Sequence, residues 1–152
     1  MESINSLKII GLSIRTTNKD NQSAQDIGKL WGQFYAENWV EKIPNKVRND
    51  IYSIYTDYIS NYQDQYTTII GVQVNNFNSI PAGCIGREFP KENFKIFTAK
   101  GQMPKAIIDT WLSIWKQDFE LQRKYTYDFE LYTGKSQNGE NSEVDIYIAT
   151  DK

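Results

Sequence analysis

Runs of apolar residues along this chain alternate between two periods. Residues 7–14 (LKIIGLSI) are apolar and β-branched and predict a first strand. Residues 16–22 are polar and predict a turn. Ser23 then reads as a helix N-cap, with Asp26 three positions on, near the positive end of the helix. Ile27, Leu30, Trp31, Phe34 and Tyr35 recur at helical spacing and predict an amphipathic helix over about residues 24–39. Gly28 and Gly32 lie four apart on one face of it, each costing about 1 kcal/mol against alanine. The reading adopted is close packing of that helix on a sheet; the alternative is room left for something to approach. Pro44 and the KVRND stretch end the helical pattern. Residues 50–58 (DIYSIYTDY) and 66–74 (YTTIIGVQV) predict an antiparallel hairpin. Residues 80–89 hold Pro81, Gly83 and Gly86 and predict an irregular or edge strand. Residues 94–99 (FKIFTA) predict another strand, closed by Gly101. Pro104 suits the first turn of a second helix, in which Ile107, Ile108, Trp111, Leu112, Trp115 and Phe119 keep the 3.6 period. Residues 125–132 (YTYDFELY) and 143–149 (EVDIYIA) predict the last two strands.

The order strand, helix, strand, strand occurs once before Asn75 and again after Asn93. The two helices align at an offset of 80, so that Ile27, Trp31 and Phe34 correspond to Ile107, Trp111 and Ile114. The hairpins align at an offset of about 74–76. The repeat is one of pattern, with low identity. It predicts an α+β fold, a duplicated βαββ unit with pseudo-two-fold symmetry. The halves would be about 7–74 and 80–150, within one domain spanning 1–152. Two helices would lie on one mixed or antiparallel sheet, with a groove between them where Trp31 and Trp111 face each other.

Composition narrows the chemistry. A chain of 152 residues suggests one domain able to bury a core without staples. With no histidine, Ser-His-Asp, Cys-His and His-ligated zinc chemistry are all excluded. One cysteine, Cys84, rules out an internal disulfide framework and points to a reducing, cytoplasmic location. Cys84 itself reads as a small buried or edge residue. Seventeen basic against nineteen acidic residues, with no basic cluster, argue against direct nucleic-acid binding. Lys46 with Arg48, and Arg123 with Lys124, read as solvated pairs. The opening residues do not make a signal peptide, and no stretch is apolar enough to span a membrane. No P-loop, Rossmann glycine pattern, CxxC or EF-hand loop is present, and no cofactor or metal is expected. What stands out is an aromatic content of 14%, with ten tyrosines.

Glu130 is the candidate that draws this together. Alternation along a strand places Asp128, Glu130 and Tyr132 on one face and Tyr127, Phe129 and Leu131 on the other. One reading makes the acidic face solvated and the aromatic face core. The other points Glu130 into an aromatic groove, where its pKa would rise by desolvation or it would need a cationic or donor partner. Trp31, Phe34, Trp111 and Trp115 lie on the apolar helix faces. The tyrosines exceed what a core needs, because each buried hydroxyl requires a partner. Tyr55 and Tyr147 are the strand residues chosen as lining. Tyr58 and Tyr132 are weaker choices, because strand ends are often exposed.

The ordered set IGKLWGQFY, IYSIYTDY, YTTIIGVQV, IPAGC, FTAKG, MPKAIIDTWLSIW, DFELY and SEVDIYIAT resembles the GyrI-like effector-binding domain. More narrowly, it is similar to the stand-alone YdeE-type branch, related to the effector domains of AraC-type regulators. The resemblance covers about residues 7–149 and lies in the order of segments rather than in any one motif. It implies a duplicated βαββ fold of the SHS2 kind, with an antiparallel sheet and a central groove for drug-like, cationic or aromatic molecules. It also implies that Glu130 lies at the base of that groove, matching the family glutamate by position. Trp31, Phe34, Tyr55, Trp111 and Tyr147 match by location in their elements. The resemblance implies that family regulators often attach this domain to a helix-turn-helix DNA-binding module; none is expected here, because the domain itself uses up these 152 residues. The expectation is a small-molecule-binding protein acting as sensor or sequestrator linked to transcription regulation. Two alternatives stand beside it. One is a hydrolase of strained electrophilic rings using Glu130 as base. The other is an interaction protein of the gyrase-inhibitor type. Ligand identity, protein partner and oligomeric state stay open.

Overall fold

The computed structural model describes residues 2–151. In chain order the elements are β1 (Glu2–Ile4), β2 (Leu7–Thr17), α1 (Gln22–Ala36), α2 (Trp39–Lys42), β3 (Lys46–Thr56) and β4 (Gln65–Val74). They continue with β5 (Ile85–Phe89), β6 (Glu92–Lys100), α3 (Lys105–Lys116), α4 (Asp118–Leu121), β7 (Tyr127–Tyr132) and β8 (Glu143–Ala149). The eight strands form one sheet in the order β1-β6-β8-β7-β3-β4-β2-β5. Every pairing is antiparallel. Outward from the β7–β3 contact the order is the same on both sides: β7-β8-β6 one way and β3-β4-β2 the other. Each side is extended by a strand preceding the other run, β1 beside β6 and β5 beside β2. The sequence pattern anticipated β5 as an edge strand but not β1.

Element ends depart from the pattern for local reasons. β2 continues past residue 14 because Thr16 and Thr17 pair with Tyr66 and Gln65. The helix starts at Gln22 behind a left-handed Asn21, so Ser23 lies inside α1 and is not its cap. Asn38, also left-handed, separates α1 from the single turn α2, which is why the helix does not run on to residue 39. β3 begins at Lys46 rather than at residue 50, with a register irregularity before Ile51. Gln117 leaves helical geometry, so Phe119 belongs to α4 and is 89% exposed instead of completing the apolar stripe of α3. Tyr125 has φ 56°, which delays β7 to Tyr127.

Strand alternation sorts the core into two faces. Under α1, Leu30 and Phe34 meet Ile10, Leu12, Ile51, Ile70 and Val72. Under α3, Ile114 meets Ile146 and Ile148. The opposite face gathers Tyr52, Ile54, Ile69, Phe89, Phe94, Tyr127 and Phe129. In a flat sheet β5 and β7 would be four strand spacings apart, about 19 Å. Yet the rings of Phe89 on β5 and Tyr127 on β7 are 4.9 Å apart. The sheet therefore curls, with this aromatic face inside. Gly11 and Gly71 sit opposite each other in the β2–β4 ladder. A Cβ on either would fall within 2.3 Å of the facing backbone, so the close approach there requires glycine. The helices lie on the outer face, α1 against β2 and β4 and α3 against β6, leaving β3 and β7 between them as a floor.

Phe129 packs against Tyr52, Phe94 and Tyr147 and is 1% exposed. Phe129→Ala is expected to cost about 3–5 kcal/mol of stability. Urea unfolding should show a lower midpoint with an unchanged slope.

Candidate functional site

The floor between the helices carries a carboxylate. Glu130 lies on the helix-facing side of β7, in register with Ser53 on β3, and is 3% exposed. Three side chains donate to it. Tyr55 Oη and Trp111 Nε1 reach Oε2 at 2.9 and 2.7 Å, and Tyr132 Oη reaches Oε1 at 2.5 Å. Ser53 Oγ in turn donates to the Tyr55 oxygen at 3.1 Å. The donors come from three elements, β3, α3 and β7. Among the described residues no Lys or Arg forms an ion pair with Glu130. Burial pushes its pKa up, and the bonds from Tyr132, Trp111 and Tyr55 pull back without cancelling the rise. Burial and the nearby Glu130 charge hold the Tyr55 and Tyr132 hydroxyls well above their ordinary pKa, so both remain donors.

Aromatic rings close around this group. Trp111 meets Tyr55 edge-on at 5.6 Å, and Trp31 meets Tyr132 edge-on at 4.8 Å. The offset of 80 thus brings Trp31 and Trp111 to the same central feature from the two helices. Trp31 also stacks on Tyr35, and Trp115 stacks on Tyr62 from the β3–β4 connection. Gly28 and Gly32 would carry a Cβ with nothing within 4 Å. Close packing on the sheet is therefore not their role, and they leave open space along α1. The corresponding positions on α3 are Ile108 and Leu112, about half exposed.

A second carboxylate, Asp128, shares this face and is handled differently. It is 0% exposed and pairs with Arg123 at 2.8 Å, whose side chain is 1% exposed. Asp128 also accepts from Tyr58 Oη at 2.7 Å and from the Ala149 amide at 2.7 Å. The guanidinium lies 4.3 Å from the Tyr125 ring centre and 5.8 Å from that of Trp111. Asp118 accepts from both Arg123 and Tyr125. Arg123 and Lys124 are thus not solvated pairs: the first is buried on Asp128 and the second binds the buried Glu92 at 2.7 Å.

Of the residues singled out by sequence, Glu130, Tyr55, Trp111 and Trp31 converge, with Trp115 next to Trp111. Phe34 is fully buried in the core under α1 and reaches the site through its edge contacts with Trp31 and Tyr35. Tyr147 does not join them. It stacks on Phe129 at 4.4 Å, on the other side of the sheet, because its register partner is Phe129 rather than Glu130. Tyr132 and Tyr58, the weaker choices, also reach the carboxylates, as Tyr55 does. Ser53 and Arg123 were missed. For Ser53 the signal was its place two residues before Tyr55. Among the described residues no group of His, Cys, Asp and Glu could hold a metal ion, and no helix is long and apolar enough to cross a membrane.

Comparison with known proteins shows what the chain as a whole is similar to. The family described as integron-associated effector binding protein (Cass2) matches residues 1–150. The Bacillus subtilis protein YobU, described as a candidate transcriptional regulator, is 25% identical over 148 residues, covering 95% of this chain and 92% of YobU. An integron cassette protein from the mobile metagenome of Vibrio cholerae has a crystal structure with TM-score 0.77 and 27% identity, covering 98% of this chain and 93% of that one. SAV2435, solved bound to tetraphenylphosphonium, shares the fold at TM-score 0.82 and 19% identity, covering 99% and 92%.

Two consequences for stability follow. A carboxyl with a folded-state pKa raised above its unfolded value favours folding fully below the unfolded pKa, and that contribution is lost as pH rises through the folded pKa. Glu130→Gln should therefore gain stability over wild type as pH rises above about 4.5, checked by denaturant midpoints across pH. Arg123→Met strands the Asp128 charge and should cost about 3–5 kcal/mol, read by the same method.

Proposed function

This chain belongs to the integron-associated effector binding protein family, and from that premise we propose that its effector is a lipophilic aromatic cation held opposite the Glu130 carboxylate. The observation that carries this reading is a buried carboxylate bound only by neutral donors, beside a neighbouring carboxylate that has its own arginine. A charge removed from water is costly unless paired. Tyr55, Trp111 and Tyr132 reduce that cost without neutralising the charge. A permanent cation has no N–H to donate, so the carboxylate keeps these bonds and attracts the ligand by charge. The surrounding indole and phenol faces add cation–π and stacking contact, about 2 kcal/mol for a desolvated cation–π contact. The tetraphenylphosphonium bound by SAV2435, a protein of the same fold, has the charge and aromatic surface that such a site would take.

Entry requires Trp111 and Tyr132 to swing aside transiently and re-form their bonds to Glu130 once the cation is seated, since together with Tyr55 they leave Glu130 nearly inaccessible. Saturation of both carboxylate oxygens suits holding a charge better than taking a proton from water. For that reason binding is preferred here to hydrolysis of strained electrophiles. In this reading the protein serves as a sensor or sequestrator of such cations. The regulatory name of YobU supports the sensor role.

Titration of wild type and Glu130→Gln with a planar cationic dye and with tetraphenylphosphonium tests the reading. The variant should lose about 10–100-fold in affinity, the worth of about 1.4–2.7 kcal/mol. Tryptophan fluorescence should change on binding to wild type through Trp31 and Trp111. Wild-type affinity should also fall as acid protonates Glu130, beginning above the ordinary carboxyl range, while the variant stays flat. Equal affinity of both proteins at neutral pH would sink the assignment.

A further inference from the structure

On the same face of the sheet, β4 beside that floor holds a polar group that the Glu130 site does not use. Thr68 is 0% exposed, and its Oγ1 has no hydrogen-bond partner. Its side chain lies on the helix-facing side of β4, the side of Ile70 and Val72, in register with Tyr55 on β3 and with Ile14 on β2. Neighbouring hydroxyls on this face have found partners, and the other buried side-chain polar atom without one among the described residues is Arg123 Nε. Ser53 donates to Tyr55, Tyr55 and Tyr132 donate to Glu130, Thr16 donates to Asp26, and Tyr66 donates to Asn18. Against that background one unmet hydroxyl is conspicuous. Burying it without a partner is unfavourable, and valine would fill the same shape without the loss.

The position of Thr68 relative to Glu130 gives the unmet group a direction. Tyr55 links them: it donates to Glu130, and its register neighbour is Thr68. Its ring also meets that of Tyr66, two residues before Thr68, edge-on at 5.9 Å. Thr68 lies two strands and two residues away from Glu130, which in sheet geometry is about 12 Å between Cα positions. The path between them runs over tyrosine surface rather than through a charged cluster.

Resting on the proposed role of Glu130, we infer that Thr68 is a second polar contact of the effector site. It takes an uncharged hydrogen-bonding group, such as an amide or hydroxyl, on an arm reaching from the cationic centre toward β4 and β2. The ligand class is thereby narrowed from any aromatic cation to one with a neutral polar group about 12 Å from its charge.

Two triphenylphosphonium probes test this, with arms of equal length ending in a carboxamide or in an isosteric alkyl group. Wild type should prefer the carboxamide by about five- to tenfold, the worth of one buried hydrogen bond. Thr68→Val should bind the alkyl probe as wild type does and lose the preference, and Thr68→Ser should retain it. The melting temperature of Thr68→Val without ligand should be equal to or above that of wild type. A lower value would mean the hydroxyl is already satisfied inside the protein, and the inference would fail. It would also fail if Thr68→Val weakened both probes equally, or if wild type showed no preference; binding of both probes, lost in Glu130→Gln, would then leave the Glu130 reading intact. If neither probe bound wild type, both readings would fall together.

Discussion

A carboxylate kept in a nearly dry aromatic interior needs donors, and the position of Glu130 decides where they must come from. Tyr55 arrives from β3, Trp111 from α3 and Tyr132 from β7 itself. The first belongs to the earlier run of strand, helix, strand, strand, and the other two to the later one. Glu130 thus ties the two runs together across the β7–β3 contact. The curl of the sheet works toward the same end. The aromatic face is gathered inside, the helices sit on the outer face against β2 and β6, and the central strands remain between them.

Two acidic residues on one face of β7 show how scaffold and site are kept apart. Asp128 is neutralised within the protein by Arg123, and it also accepts from Tyr58 and from the backbone of Ala149. Those contacts join β7 to β8, to the segment that follows α4 and to the β3–β4 connection. Glu130, two residues on, has hydrogen bonds but, among the described residues, no cation paired with it. The first arrangement satisfies both charge and geometry and is structural. The second satisfies geometry and leaves the charge unmatched, which is the property a cation site requires. Trp111 touches both, with its indole N–H on Glu130 and its ring near the Arg123 guanidinium.

Every strand but β1, the two main helices and their repeated order were legible because each depends on local periodicity. The face of Glu130 was legible as an alternation but not as a choice between solvent and interior, since alternation does not say what covers a face; the family resemblance favoured the groove. Tyr147 shows the same limit. Its place in β8 was foreseen, but only the β7–β8 register, Phe129 opposite Tyr147, puts it on the far side. Tyr132 was discounted as a strand end, yet being two residues from Glu130 guaranteed the same face. Arg123 looked solvated because its partner Asp128 is fixed by tertiary contacts that neighbouring letters do not reveal. Ser23 had the chemistry of a cap, but the left-handed turn at Asp20 and Asn21 started the helix earlier.

The most direct measurement is the pKa of the Glu130 carboxyl, followed by carbon-13 NMR in the free protein and in the presence of tetraphenylphosphonium. The account predicts a value above the ordinary carboxyl range when free, and a fall when the cation binds, because a positive neighbour favours the ionised form. An ordinary value that does not move on addition of the cation would contradict it.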